Sequence, residues 1–268
     1  MLRRSVPLLV LTFVAVVAAC NNFDSPSSNG TPVAVVLMNA RTQAAGYTTY
    51  PKVNFYTVGS AVFTFSNVNS DSCIVAPFDS TATVTTFPKR LGAGALMTMA
   101  ISADTDSLYK ATTSDMTYTL PTLSGVAFNP GDSVLFNVAG DVAGFPALTG
   151  SARTAEPFTI TDPTPIAAGQ AMPVSWTAAS DLNAGMYVSL IYDSQGTGTL
   201  NTQIFCDFAD DGQGTVQGNL IAGLMNSSIP FVTHAQRVRS ALLLTNASSS
   251  RGYMNVISTF EVPTPVSP

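Results

Sequence analysis

Apolar and polar positions alternate with a period of two in short runs along most of the chain. In Ala61-Val62-Phe63-Thr64-Phe65, residues Ala61, Phe63 and Phe65 fall on one face. Such alternation is the pattern of a half-buried strand, because successive side chains of an extended backbone point to opposite sides. Comparable runs stand at 33–38 (VAVVLM), 96–101 (LMTMAI), 133–138 (SVLFNV), 158–161 (FTIT), 172–176 (MPVSW), 186–191 (MYVSLI), 203–208 (QIFCDF), 241–245 (ALLLT) and 255–260 (NVISTF). Between them lie turn formers: Asn129-Pro130-Gly131-Asp132, Gly196-Thr197-Gly198, Asp211-Gly212 and Asn29-Gly30. Glycine supplies positive φ, while Asn and Asp hydrogen-bond their own backbone, so these punctuate strands. Helical spacing is scarce, and GNLIAGLMN at 218–226 supplies one or two turns. The pattern predicts an all-β chain built as sandwiches or a barrel.

Thr161-Asp162-Pro163-Thr164-Pro165 interrupts the pattern. Two prolines in three residues disfavour both a helix and a central strand. A fresh hairpin signal follows at Met172-Pro173-Val174-Ser175-Trp176-Thr177. The expected organisation is therefore an N-terminal β-sandwich at 32–160 and a C-terminal one at 161–268.

The first thirty residues follow a different logic. Arg3 and Arg4 precede an apolar run from Val6 to Val17, and the small residues Ala18 and Ala19 stand before Cys20. Charge, apolar core and small-residue cleavage site make an export signal. The run is too short for a spanning helix, which needs about 20 apolar residues. Val17-Ala18-Ala19-Cys20 resembles a lipobox, the recognition site of the type II signal peptidase that processes bacterial lipoproteins. The resemblance covers the first 20 residues. It implies a signal peptide at 1–19, acylation of Cys20 (palmitate among the chains) and a membrane partner reached through the N-terminal lipid. Asn21 in place of Asp resembles outer-membrane sorting in diderm bacteria. The implied location is the cell envelope, outer-membrane anchored, facing periplasm or surface. Residues 21–31 (NNFDSPSSNGT) offer little apolar area against ordering entropy, so 20–31 reads as a lipidated tether.

Charge changes the picture chiefly by exclusion. Of 11 basic and 16 acidic residues, the signal carries two basic ones, leaving nine against 16. No basic stripe exists, so nucleic acid is not an expected partner. Charged residues make up 10% of the chain, and helices would need more of them for their solvent faces.

Candidate chemistry is sparse. His234 is the single histidine, and no HExxH, CxxC or GxSxG is present. A His-based zinc site would need more ligands than His234 and two distant cysteines provide. We read His234 as a surface or structural residue. Asp207, Asp210 and Asp211, with Asp193, form the densest acidic group. They are the candidate calcium loop, set against a plain hairpin turn, and the turn is the preferred reading. Tyr47, Tyr50 and Tyr56, with Phe55, are the candidate sugar- or ligand-stacking face, set against ordinary strand aromatics. Cys73 and Cys206 fall on either side of the expected boundary, and we expect two unpaired, buried thiols.

Asn129-Pro130-Gly131-Asp132, Phe145-Pro146, Val174-Ser175-Trp176-Thr177 and Cys206 with Asp210-Asp211-Gly212 loosely resemble bacterial lipoproteins carrying tandem immunoglobulin-like sandwiches. Trp176 lacks a preceding cysteine in its half, a departure from true immunoglobulin domains. The expectation is an all-β protein with two immunoglobulin-like domains, no cofactor and no enzymatic activity, serving a structural or interaction role in the envelope. The alternative is a carbohydrate- or small-ligand-binding lipoprotein. The partner is expected to be another envelope protein or a glycan.

Overall fold

The computed structural model describes residues 31–43, 46–58, 71–79, 89–102, 104–110, 116–121, 125–161, 163, 167, 169–180, 184–245 and 252–263. The signal, Cys20, most of the tether, the 61–65 run and most of the 161–165 interruption lie outside them. The fold is all-β with one short helix among the described residues. No described helix is long and apolar enough to cross a membrane.

The strands are β1 (Thr31–Gln43), β2 (Gly46–Val58), β3 (Ser72–Pro77), β4 (Lys89–Arg90), β5 (Leu96–Ile101), β6 (Asp104–Lys110), β7 (Tyr118–Thr119), β8 (Val126–Phe128), β9 (Ser133–Val138), β10 (Leu148–Arg153), β11 (Ile160–Thr161), β12 (Met172–Trp176), β13 (Ala184–Tyr192), β14 (Thr202–Ala209), β15 (Gln213–Val216), β16 (Val232–Leu244) and β17 (Tyr253–Pro263). The helix α1 (Gly218–Met225) follows β15. The chain forms two compact units, each assembled from three segments. Unit 1 takes Met1–Phe65, Thr83–Thr154 and Ser240–Ser258; unit 2 takes Ser66–Ala82, Ala155–Arg239 and Thr259–Pro268. The stretch carrying Cys73 thus groups with the C-terminal half.

In unit 1 the strand order is β10-β9-β5-β6-β7-β2-β1, with β4 and β8 also pairing β2. Alternation explains the core. Met97, Met99 and Ile101 of β5 pair with Val138, Phe136 and Val134 of β9, and all six are buried. Each such side chain contributes roughly 1.5–3 kcal/mol on burial. Phe55 packs edge-on to Tyr118 at 5.2 Å and against Phe145 at 4.7 Å. The Tyr118 hydroxyl donates to the Gly94 carbonyl at 2.6 Å and accepts the Ala93 N–H at 2.9 Å. Burial, with the nearby Asp141 charge, raises its pKa above the usual phenol value. Gly144 permits a close approach here, because a Cβ would lie 2.0 Å from the Gly92 carbonyl oxygen.

Unit 2 contains a sheet ordered β16-β13-β14-β3 and a second, three-stranded sheet ordered β11-β12-β15. Their ladders are antiparallel. Met172, Val174 and Trp176 of β12 are buried, as are Met186, Val188 and Leu190 of β13 and Ile204, Cys206 and Phe208 of β14. Trp176 stacks on Phe208 with centroids 5.7 Å apart, joining the two sheets. Gly214 of β15 lies over Phe208, where a Cβ would come within 2.8 Å of the ring. Ile221 and Leu224, three apart on α1, face inward.

The expectation of unpaired thiols is overturned. Cys73 and Cys206 form a disulfide, with Sγ atoms 2.01 Å and Cα atoms 4.0 Å apart. The reason is register. The 72–77 run is a strand of unit 2, and its ladder with β14 sets Cys73 directly opposite Cys206.

Candidate functional site

The acidic group dissolves into separate structural tasks. Asp210, at the end of β14, is 3% exposed, and its partner Arg237 of β16 is 1% exposed. The two carboxylate oxygens accept from Arg237 Nε at 2.5 Å and Nη2 at 3.0 Å. The oxygen that takes the Nη2 bond, Oδ1, also accepts the Trp176 indole N–H at 2.8 Å. Arg237 spends its remaining donors on backbone carbonyls: Nη1 to Glu156 at 3.3 Å and to Pro157 at 2.9 Å, and Nη2 to Thr177. Its guanidinium lies 5.2 Å from the centroid of the Phe158 ring. This bidentate pair satisfies a buried guanidinium almost completely, the condition under which burying a charge is tolerable. It also holds the 156–158 and 177 segments to β14 and β16.

Glu156 extends the network outward. It receives the Ser180 N–H at 3.0 Å and the Ser180 hydroxyl, and pairs with Arg239 at 3.3 Å. Burial works to raise its pKa, but the Ser180 hydrogen bonds and the Arg239 and Arg237 charges outweigh it and hold the carboxyl below its ordinary value.

Asp211 caps the hairpin turn, accepting the Gln213 N–H at 3.1 Å beside Gly212 at φ 100°. Asp193 is buried at the start of the 193–201 loop. Its oxygens accept the Ser228 hydroxyl at 2.6 Å, the Gly198 N–H at 2.6 Å, the Gln195 N–H at 3.0 Å and the Asn201 amide at 2.7 Å. The Ser228 hydrogen bond above all, then these backbone donors, hold its pKa far below the carboxylate norm against the opposing pull of burial. A carboxylate ringed by donors has no lone pair left for a cation. Asp207 alternates to the opposite face of β14 from Cys206. Burial first, and the Asp71 charge second, push its pKa up to about 7. The aspartates therefore do not converge. Among the described residues, no three His, Cys, Asp or Glu side chains are placed to hold a metal ion.

The tyrosine candidates divide as well. All three lie on β2, where Tyr50 and Tyr56 share one parity and Tyr47 the other. Tyr56 is 6% exposed, while Tyr47 and Tyr50 are half-buried. Tyr47 sits 6.1 Å from Phe128 on the paired strand β8.

His234 is exposed on β16, directly opposite Ser189 of β13. A serine–histidine pair is the start of a nucleophilic site, but the Ser189 hydroxyl donates to Gln203 Oε1 at 2.9 Å. That hydroxyl proton is therefore directed at an amide oxygen and not at the imidazole. Ser189 and His234 belong to an outer face that the sequence did not single out. Register sets Ser72, Asp207, Tyr187 and Gln236 in one row and Ile74, Phe205, Ser189 and His234 in the next. Tyr187 and Phe205 are in tilted contact at 5.4 Å. Burial, with the Asp207 charge, pushes the Tyr187 hydroxyl up to about 12. Period-two alternation in β13 and β14 was the signal available for this face. Which strands lie side by side was not readable, so the rows were not.

No family model matches the chain, and no curated protein matches it.

Proposed function

We propose that this chain is a bacterial lipoprotein whose mature part is a non-catalytic structural or interaction module held at the outer membrane by lipid on Cys20. The observation that carries the reading is Arg3-Arg4, the apolar run and Val17-Ala18-Ala19-Cys20, in that order. The internal use of the strong charges supports it: Asp210, Arg237, Asp193 and Glu156 are spent on holding loops and strands. The partner is another envelope protein or a glycan. The test is detergent phase separation of cells expressing wild type and Cys20→Ser. Wild type enters the detergent phase and the variant stays aqueous; equal partitioning overturns the proposal.

The finer fold belongs to the same proposal. Unit 2 is read as an immunoglobulin-like sandwich, since β12 and β15 of one sheet bracket the β13–β14 hairpin of the other, a Greek-key crossing. Its disulfide joins neighbours within one sheet, unlike the intersheet bridge of antibody domains. For unit 1 the immunoglobulin-like reading rests on strand alternation alone.

Ligand binding is the second reading, favoured by the Tyr187–Phe205 pair flanked by Gln203, Ser189 and His234. Saturation-transfer NMR with neutral oligosaccharides tests it; no transfer to any sugar proton rejects it.

A further inference from the structure

β3 is the last strand of its sheet and carries little of its own attachment. Of its six residues only Ala76 is buried, and Val75 is 48% exposed. Asp71, which leads into it, adopts φ 44°, a left-handed conformation unfavourable for a residue with a Cβ. Outside the ladder, three hydrogen bonds tie β3 and its ends to the β13–β14 hairpin. Asp71 Oδ1 accepts the Ala209 N–H at 2.9 Å, the Phe78 N–H donates to the Asn201 carbonyl at 2.9 Å, and Gln203 Nε2 donates to the Pro77 carbonyl at 3.5 Å. Ordering six residues costs backbone entropy at each one, ladder hydrogen bonds return little net, and a single buried alanine adds little. The Cys73–Cys206 bond is the strong attachment, and it closes a separation of 133 residues.

We propose that this disulfide is a redox-operated clasp: a dithiol opens it, and β3 leaves β14 while the rest of unit 2 stays folded. Burial directs the chemistry, because Cys206 is fully buried whereas Cys73 is half-buried on the edge strand. A thiolate of the dithiol attacks Cys73 Sγ, forming a mixed disulfide and expelling Cys206 as the thiolate, which takes up a proton. The second thiol of the reductant then displaces Cys73. Two electrons pass to the protein, the dithiol becomes a disulfide, and two protein thiols result. The core side of unit 2 does not depend on β3, since Trp176, Phe208, Val188 and the Arg237–Asp210 pair are held by other strands. The vacated edge of β14 is then a row of unpaired backbone groups, the kind of edge that accepts another extended segment.

The test is hydrogen exchange on the mature protein with and without dithiothreitol, paired with thiol titration. Under native conditions two thiols should become titratable. The protected amides within 72–76, and that of Ala209, should then exchange between about tenfold and about five-thousandfold faster, the upper figure being the loop-closure factor for so long a separation. Protection at 184–192 and 232–239, and Trp176 emission, should stay unchanged. Cys73→Ser should reproduce the reduced pattern without reductant. Three results overturn the proposal: a bond that reduces only after denaturation, a reduced protein with β3 still protected, or loss of protection throughout unit 2.

Discussion

Replacing Asp210 by alanine removes the carboxylate that pairs directly with the Arg237 guanidinium. Arg237 keeps its carbonyl contacts at Glu156, Pro157 and Thr177 but loses both charge-assisted bonds, at 2.5 and 3.0 Å. The guanidinium stays where it is, 1% exposed. Leaving one member of a buried pair costs about 3–5 kcal/mol. The Trp176 N–H loses its acceptor too, and an orphaned buried donor costs roughly 1–3 kcal/mol. Against a total stability of about 5–15 kcal/mol, the loss brings the variant close to its unfolding threshold. The assay is guanidinium denaturation followed by tryptophan fluorescence. Trp176 is the single tryptophan and sits in the network, so the probe reports on the site. Asp210→Leu combined with Arg237→Met should lose much less than Asp210→Ala alone, because no charge is then buried unpaired. A loss below about 1 kcal/mol for Asp210→Ala would refute the reasoning that this pair organises unit 2.

Asp207→Asn should raise stability at and above neutral pH. A folded-state pKa of about 7 against an ordinary 3.8 means the folded protein binds the extra proton between those values. Wild-type stability therefore falls as pH rises from about 4 to about 7, by about 1–2 kcal/mol once solvent screening is discounted. Melting curves across that range should show the slope vanish in the variant. Asp193→Asn should speed limited proteolysis within 194–201, since the carboxylate holds that loop through the Gly198, Gln195 and Asn201 donors; an unchanged cleavage rate counts against it. Gly144→Ala should cost about 1–3 kcal/mol by denaturant titration, because its Cβ meets the Gly92 carbonyl oxygen at 2.0 Å.

Much of the strand content was legible because alternation survives in strands with one buried face. The runs at 96–101, 133–138 and 172–176 coincide with β5, β9 and β12, and GNLIAGLM is α1. The Asn129–Asp132 turn forms with Gly131 at φ 80° and the Asp132 N–H on the Asn129 carbonyl at 3.0 Å. Of the strands that escaped, four did so for separate reasons. β2 carries Pro51 within its length and read as an aromatic cluster. β3 is short, and one buried side chain leaves no alternation. β6 (DTDSLYK) has polar residues on most positions. β10 holds Gly150, whose missing Cβ makes room for Leu243. Non-local register was not legible at all. The disulfide, the Arg237–Asp210 pair across 27 positions and the outer rows of β13 and β14 each depend on which strands become neighbours, and no local pattern encodes that.

The most direct test of the central claim is mass spectrometry of the N-terminal peptide from membrane-extracted protein. The account predicts a chain beginning at Cys20, with residues 1–19 removed and the cysteine carrying a thioether-linked diacylglycerol and an N-acyl chain. An N-terminus elsewhere, or an unmodified Cys20, would contradict it.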